Sequence, residues 1–268
     1  MHISKATNAQ QVQEFYNLTR QWRKQFTAGN FYAEGEQVVF RLLQSELSIV
    51  SMLLTENHLE RWKPLIELRR QKETTIWIAQ KKWMEENSGQ KLNQPCLALA
   101  EIPPSARLEN LIRQDPCCLV ALDGIDHAVN VGSIVRNCAA FGVTGLLVDG
   151  TTIHPYSWRA VRTSLGSVFH LPVVSSDSLS ETLKLLQNQY QIRLIAADPE
   201  GSLRISETDF SMNCCFIFGN EHQGISKKIL SLAPMRVAIP LSGKVDSVNV
   251  AAASAIFLYV VRTTHPPG

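Results

Sequence analysis

Residues 239–261 constrain the fold more than any other stretch. Ile239-Pro240-Leu241-Ser242-Gly243-Lys244-Val245-Asp246-Ser247-Val248-Asn249-Val250 leaves an apolar, strand-like segment and enters a polar loop. Ala251 to Val261 follows, alanine-rich and apolar on nearly every side. A helix apolar all round has to be buried. The loop therefore joins a buried strand to a buried helix, where backbone groups can be aimed at a ligand. Ser247 or Asn249 can cap the helix.

At 268 residues the chain suits one large domain or two modest ones. Hydrophobic residues make up 45%, enough for a core, and the formal net charge is only +2. Any nucleic-acid contact must then come from a local basic patch. No apolar run is long enough to span a bilayer. Met1-His2-Ile3-Ser4-Lys5-Ala6 lacks the apolar core of a signal peptide. The six cysteines include the neighbouring pairs Cys117-Cys118 and Cys214-Cys215, both in apolar runs, and no Cys-x-x-Cys spacing occurs. This argues against a zinc site and for buried free thiols in a reducing cytoplasm.

The two halves differ in rhythm. In the first, Phe15, Leu18, Trp22 and Phe26 fall at helical spacing and predict one amphipathic helix, stopped by Ala28-Gly29-Asn30. A helical pattern at Val38, Val39, Leu42 and Leu43, a strand over 47–54, a helix over 56–71 and a strand over 74–79 complete a small α/β unit, with 96–100 as its last strand. Pro103-Pro104-Ser105 marks a linker. The expected organisation is a small domain over 1–102, a linker over 103–116 and a larger domain over 117–268. In that larger domain, strands at 118–122, 145–148, 194–197, 215–218 and 237–239 alternate with helices at 131–141, 157–163, 179–189, 225–232 and 250–261. Short apolar strands alternating with helices predict a parallel sheet covered on both faces. Ligands bind such sheets at the C-terminal ends of the strands.

Two further polar stretches lie at such ends. In Asp123 to Arg136, Asn130 is a candidate N-cap, and Arg136 lies about two turns on, able to share a face with Gly132 and Ser133. A helix opening after Asn and Gly offers N–H groups to a phosphate, and Arg136 adds a forked cation. By itself this stretch reads better as a capped helix with one solvated arginine. In Phe218-Gly219-Asn220-Glu221-His222-Gln223-Gly224 a carboxylate sits at the tip of a tight turn. A dinucleotide site would need Gly-x-Gly-x-x-Gly, which is absent, and Glu221 would repel a pyrophosphate. His222 is a tempting general base, but a lone loop histidine is more often solvated.

Together, and in this order, the three stretches resemble the SpoU/TrmH family of RNA ribose methyltransferases. Asn130-Val131-Gly132-Ser133-Ile134-Val135-Arg136 is similar to its first motif, 218–224 to its second, and Ile239-Pro240-Leu241 with Ser247-Val248-Asn249-Val250 to its third. Arg162 to Val173 also looks familial, and Phe31 to Glu36 is similar to the signature of its small substrate-binding domain. The resemblance covers roughly residues 25–263. Val248, Ala251 and His222-Gln223 depart mildly from the pattern, and none removes a polar group that the family relies on.

The resemblance implies an α/β fold: a parallel sheet with helices on both faces, a C-terminal trefoil knot, and a small N-terminal α/β substrate-binding domain. It implies a homodimer. It implies S-adenosylmethionine (SAM) as methyl donor, held by Gly219, Ile239, Leu241 and Val248, with no metal. The reaction would place a methyl group on a ribose 2′-hydroxyl of RNA, with Asn130, Arg136, Glu221, Ser247 and Asn249 as the polar centre. Arg136 is often cast as base in this family, but a guanidinium stays protonated, so holding the target phosphate and stabilising the alkoxide suits it better. Arg159, Arg162, Arg69 and Arg70 are the candidate RNA contacts, with Arg61, Lys63, Lys72, Lys81, Lys82 and the interleaved Trp62, Trp77 and Trp83 nearby in sequence. The small domain favours large-subunit rRNA as target. The alternatives are tRNA, or an RNA-binding assembly factor that has lost catalysis.

Overall fold

The computed structural model describes residues 2–16, 18–69, 74–88, 91, 94–113, 117–210 and 213–264. In chain order the elements are β1 (His2–Lys5), a 3-10 turn (Ala9–Phe15), α1 (Leu18–Thr27), β2 (Asn30–Glu34), α2 (Glu36–Gln44), β3 (Ile49–Leu54), α3 (Glu56–Leu68), β4 (Thr75–Ile78), α4 (Lys81–Ser88) and β5 (Leu97–Glu101). Then come α5 (Leu108–Leu111), β6 (Cys118–Asp123), α6 (Ala128–Phe141), β7 (Gly145–Asp149), α7 (Trp158–Thr163), β8 (Val173–Ser176), α8 (Leu179–Tyr190), β9 (Arg193–Ala197), β10 (Leu203–Arg204), β11 (Cys214–Gly219), α9 (Lys227–Leu230), β12 (Met235–Ala238) and α10 (Val250–Thr264). They form two compact units: Met1–Pro104 with Tyr156–Phe169, and Ser105–Pro155 with His170–Gly268.

The first unit is a five-stranded sheet of order β1-β4-β3-β5-β2. β1, β4 and β3 run parallel, and β5 is antiparallel to both β3 and β2. Its core gathers Val12, Phe15, Tyr32, Leu53, Met84 and Leu99, with Trp77 and Trp83 packed against it. Trp62 is 1% exposed. The three tryptophans are thus wholly or partly core, as burial of large aromatic surface favours. The single helix expected through Phe15 and Phe26 is instead the 3-10 turn followed by α1.

Tyr156–Phe169 packs with this first unit although its sequence lies in the second half. The ring of Phe31 stacks at 5.0 Å on Tyr156 and 5.4 Å on Phe169. Glu34 Oε2 accepts from Trp158 Nε1 at 2.8 Å and pairs with Arg162 at 3.3 Å. Arg41 Nη1 donates to Leu165 O at 2.7 Å. That bond braces a turn in which Leu165 and Gly166 both have positive φ, 52° and 77°, a conformation that disfavours leucine.

The second unit is a seven-stranded parallel sheet of order β10-β12-β9-β11-β6-β7-β8. Strand side chains alternate between faces. Cys215 and Ile217 join Leu119, Ala121, Leu183 and Leu194 on one face, whereas Phe216 and Phe218 meet Phe257 of α10. The stretch read from its prolines as a linker carries α5, whose Leu108 and Leu111 are buried in this unit's core. α10 is fastened to α6, where Asn137 Nδ2 donates to Ala251 O at 2.8 Å and to Ser254 Oγ at 2.9 Å. Full burial of α10 does not hold: Ile256 is 37% and Tyr259 59% exposed. No helix among the described residues is long and apolar enough to cross a membrane.

Candidate active site

The sheet order makes a switch point at β6 and β11. After β6 the chain winds outward through β7 and β8, then returns to lay β9 and β11 on the other side. Crevices at such points collect the loops that follow the strands. Asp123 at the end of β6 is in register with Gly219 at the end of β11. Asp123 Oδ2 accepts from Ser226 N–H at 2.6 Å, and Asn220 Nδ2 donates to Gly124 O at 2.8 Å. The first and second polar stretches are thereby tied together.

The turn after β11 explains its glycines. Asn220 and Gly224 bond each other's backbones across it, at 3.1 and 2.9 Å. A Cβ on Gly219 would lie 2.3 Å from Gly224 C and Ile225 N, and Gly224 has φ 69°. Asn220 Oδ1 accepts from His222 N–H at 2.9 Å and Gln223 N–H at 3.2 Å. The turn leaves Glu221 half-buried and His222 exposed.

Three expected residues converge here. Asn130 Nδ2 donates to Glu221 Oε1, and Asn249 Nδ2 donates to Asn130 Oδ1 at 3.1 Å. One residue from each polar stretch thus enters a single chain of hydrogen bonds. Asn130 is not the N-cap. α6 begins at Ala128 after His127, so Asn130 lies in the first turn with its amide directed to Glu221. Asn249 is the residue that caps α10, its Oδ1 accepting from Ala251 N–H at 3.0 Å and Ala252 N–H at 3.4 Å.

The remaining expected residues do not join this chain among the described residues. Ser247 is exposed, two positions before Asn249, and makes no hydrogen bond to the three among the described residues. Arg136 is exposed on α6 and has no ion-pair partner among the described residues. Ile239 and Val248 are half-buried, and Leu241 is 37% exposed on the same loop as Val245, which is 57% exposed.

Glu221 Oε2 is buried and has no hydrogen-bond partner among the described residues. A buried carboxylate oxygen without a donor is costly. It suits a positively charged ligand group, and the loop of Ile239, Leu241 and Val248 offers an apolar wall for the remainder. SAM carries a cationic ammonium and sulfonium as well as an apolar purine face, so this residue set fits it. Among the described residues no group of His, Cys, Asp and Glu could hold a metal ion.

The expected RNA contacts are in the first unit. Arg159 is exposed, and Arg162 is exposed but paired to Glu34. Arg69 has a different task. Its guanidinium donates to the carbonyls of Leu42 and Leu43, both at 2.9 Å, and to those of Ser45 and Leu47. It closes the C-terminal end of α2, whose last carbonyls lack helical partners. Arg70 and Lys72 lie outside the described residues.

The chain is similar to known proteins. The model of the SpoU rRNA Methylase family matches residues 118–259, more than half of the chain. An uncharacterized tRNA/rRNA methyltransferase of Synechocystis sp. is 35% identical over 160 residues, 60% of this chain and 54% of that protein; the chain thus spans about half of that relative's length. The 23S rRNA (uridine(2479)-2′-O)-methyltransferase of Streptomyces viridochromogenes is 27% identical over 252 residues, covering 92% of this chain and 87% of the relative. The crystal structure of the SpoU methyltransferase AviRb from Streptomyces viridochromogenes, in complex with AdoMet, superposes with a TM-score of 0.78 at 25% identity over 97% of this chain and 99% of that one.

Proposed function

Because the chain belongs to the SpoU rRNA Methylase family, we propose that it is an S-adenosylmethionine-dependent RNA 2′-O-ribose methyltransferase acting on large-subunit rRNA. The observation that carries this is the Asn249–Asn130–Glu221 chain of hydrogen bonds, with one carboxylate oxygen left open. The rRNA target is supported by a relative that aligns along 92% of the chain and is named for 23S rRNA.

When bound, SAM supplies an electrophilic methyl group. Glu221 Oε2 would accept from the ammonium group of the donor's amino acid end. Asn130, held by Asn249, keeps the other oxygen fixed, so the carboxylate does not turn toward solvent. The Gly219 turn and the Ile239, Leu241 and Val248 segment would hold the purine by backbone groups and apolar contact. Arg136 takes the phosphate beside the target ribose. Its charge stabilises the alkoxide as the 2′-hydroxyl loses its proton to phosphate or water, since the guanidinium is itself protonated. Ser247 steadies the loop.

The chain acts as a cytoplasmic homodimer, with the exposed apolar side chains of Tyr259 and Ile256 on α10, at 59% and 37% exposure, available to a second copy. The C-terminal segment threads a trefoil knot. The support is that the chain leaves β12, near one end of the sheet, and comes back to pack α10 on α6 beside its centre. Methyl transfer from labelled SAM to rRNA from cells lacking the gene, with the product nucleotide mapped as a 2′-O-methyl ribose, tests the activity. Transfer to tRNA but not rRNA would overturn the target, and SAM binding without transfer to any RNA would overturn the reaction.

A further inference from the structure

The loop after β6 and the turn after β11 meet at one side chain that does more than close the turn. Asn220 Oδ1 accepts from His222 N–H at 2.9 Å and from Gln223 N–H at 3.2 Å, and its Nδ2 donates to Gly124 O at 2.8 Å. Resting on the methyltransferase reading above, we propose that Asn220 is a positioning residue of the methyl-donor site. It fixes where Glu221 presents its buried oxygen, which has no partner among the described residues, to the donor's ammonium group.

The clamp acts on Glu221 from both directions along the chain. Before it, Asn220 exchanges two backbone bonds with Gly224 in an isolated antiparallel bridge. After it, the amides of His222 and Gln223 are held by Asn220 Oδ1, the local pattern by which asparagine stabilises a turn. Only one orientation of the side-chain amide works. Turned over, its NH₂ would face two N–H groups and its oxygen would face the Gly124 carbonyl. The turn by itself needs only the oxygen, which aspartate or serine also carries. What asparagine adds is the nitrogen, and its bond to Gly124 ties the turn to a separate loop.

That loop is a firm anchor. Asp123, at its start, is buried and accepts from Ser226 N–H at 2.6 Å. Gly124 has φ 70°, a conformation open to glycine, and Ile125 beyond it is buried. Ile125 N–H donates to Thr152 Oγ1 at 3.3 Å, and Ile125 O accepts from Ile153 N–H at 2.9 Å. Thr152, also buried, donates in turn to Leu122 O at 2.9 Å. The loops after β6, β7 and β11 are thus one bonded framework, and Asn220 is where it reaches Glu221. The far end of that side chain is held by Asn130. Backbone and carboxylate of Glu221 are both fixed in advance, so little ordering cost falls on binding.

The test is a double-mutant cycle in the full chain, with Asn220→Ala and Glu221→Gln made singly and together. SAM affinity is read by calorimetric titration at a temperature where circular dichroism shows every variant folded. Asn220→Ala should weaken SAM binding about tenfold in the wild-type background. Beside Glu221→Gln it should cost less than about twofold, because it acts through the carboxylate. Asn220→Ser keeps an oxygen for the turn amides and loses the tie to Gly124, so it should fall between, at about threefold. It carries the same comparison if the alanine variant does not fold. Measured without SAM, amide hydrogen exchange at His222 and Gln223 should speed up in Asn220→Ala. Equal losses of affinity in both backgrounds would show Asn220 shaping the pocket at large, and unchanged affinity or unchanged exchange would show that it holds nothing. Each of these overturns the proposal while leaving the methyltransferase reading in place. Absence of SAM binding by wild type would overturn that reading, and the proposal with it.

Discussion

Replacing Glu221 with glutamine should move stability and cofactor affinity in opposite directions. Glu221 Oε1 accepts from Asn130 while Oε2 is buried without a donor among the described residues. Leaving a buried polar group unsatisfied costs about 1–3 kcal/mol, and more when it is charged. Glutamine keeps the acceptor facing Asn130 and removes the charge, but leaves its own NH₂ without a partner. The net return is therefore about 1 kcal/mol. For a unit of this size that raises Tm by ~2–4 °C. The same change removes a charge-assisted bond to the donor's cationic end, worth about 1.5–3 kcal/mol, and so weakens SAM binding ~10- to 100-fold. Thermal unfolding with and without saturating SAM reads both effects, because a ligand stabilises in proportion to its affinity. Calorimetric titration gives Kd directly. A Glu221→Gln protein that melts lower without SAM, yet binds SAM as tightly as wild type, would show that the carboxylate is a structural tie, and the reasoning would be refuted.

Arg136→Ala should leave SAM binding intact and reduce turnover by about 10²–10³, the usual loss for one transition-state donor; near-normal turnover on a proven substrate would remove Arg136 from the centre. Gly219→Ala should cost about 1–3 kcal/mol, since its Cβ would sit 2.3 Å from the Gly224 and Ile225 backbone, and denaturant unfolding measures it. Arg69→Met should lower stability by a few kcal/mol through four uncapped carbonyls, while the salt slope of RNA binding stays that of wild type. His154 is held near pKa 4 by burial, below the ordinary 6.5. Its contribution to stability is therefore complete above pH 6.5 and is lost as pH falls toward 4, by at most about 3 kcal/mol. His154→Gln should flatten that part of the stability–pH curve, as followed by urea titration at each pH.

The second unit was largely legible in the sequence, because parallel strands buried on both faces read as short apolar runs. Leu119–Leu122, Leu146–Val148 and Phe216–Phe218 stand out for that reason. β1 and β8 do not: His2–Lys5 is an edge strand with mostly exposed side chains, and Val173–Ser176 buries only two residues. Motif order was enough to bring Asn130, Glu221 and Asn249 to one place, but local sequence could not tell a capping asparagine from one turned toward a carboxylate. That choice is made by Glu221, 91 positions away. The backbone role of Arg69 is hidden from the sequence for a related reason. Composition reveals a cation, whereas its partners are backbone carbonyls, which have no sequence signature. The membership of Tyr156–Phe169 depends on Phe31, Glu34 and Arg41, more than a hundred residues upstream, and no local pattern announces it.

That excursion has a practical corollary for anyone cutting the gene. The polypeptide passes from one unit to the other three times, so a stop codon after Pro104 would not liberate a finished N-terminal module. It would delete Ala160, Val161, Val168 and Phe169, which are buried, and would strip Phe31 of two aromatic neighbours. Chimaeras that exchange recognition modules between relatives would need to carry residues 156–169 along with 1–104, or the transplanted piece would arrive with an open wound in its interior.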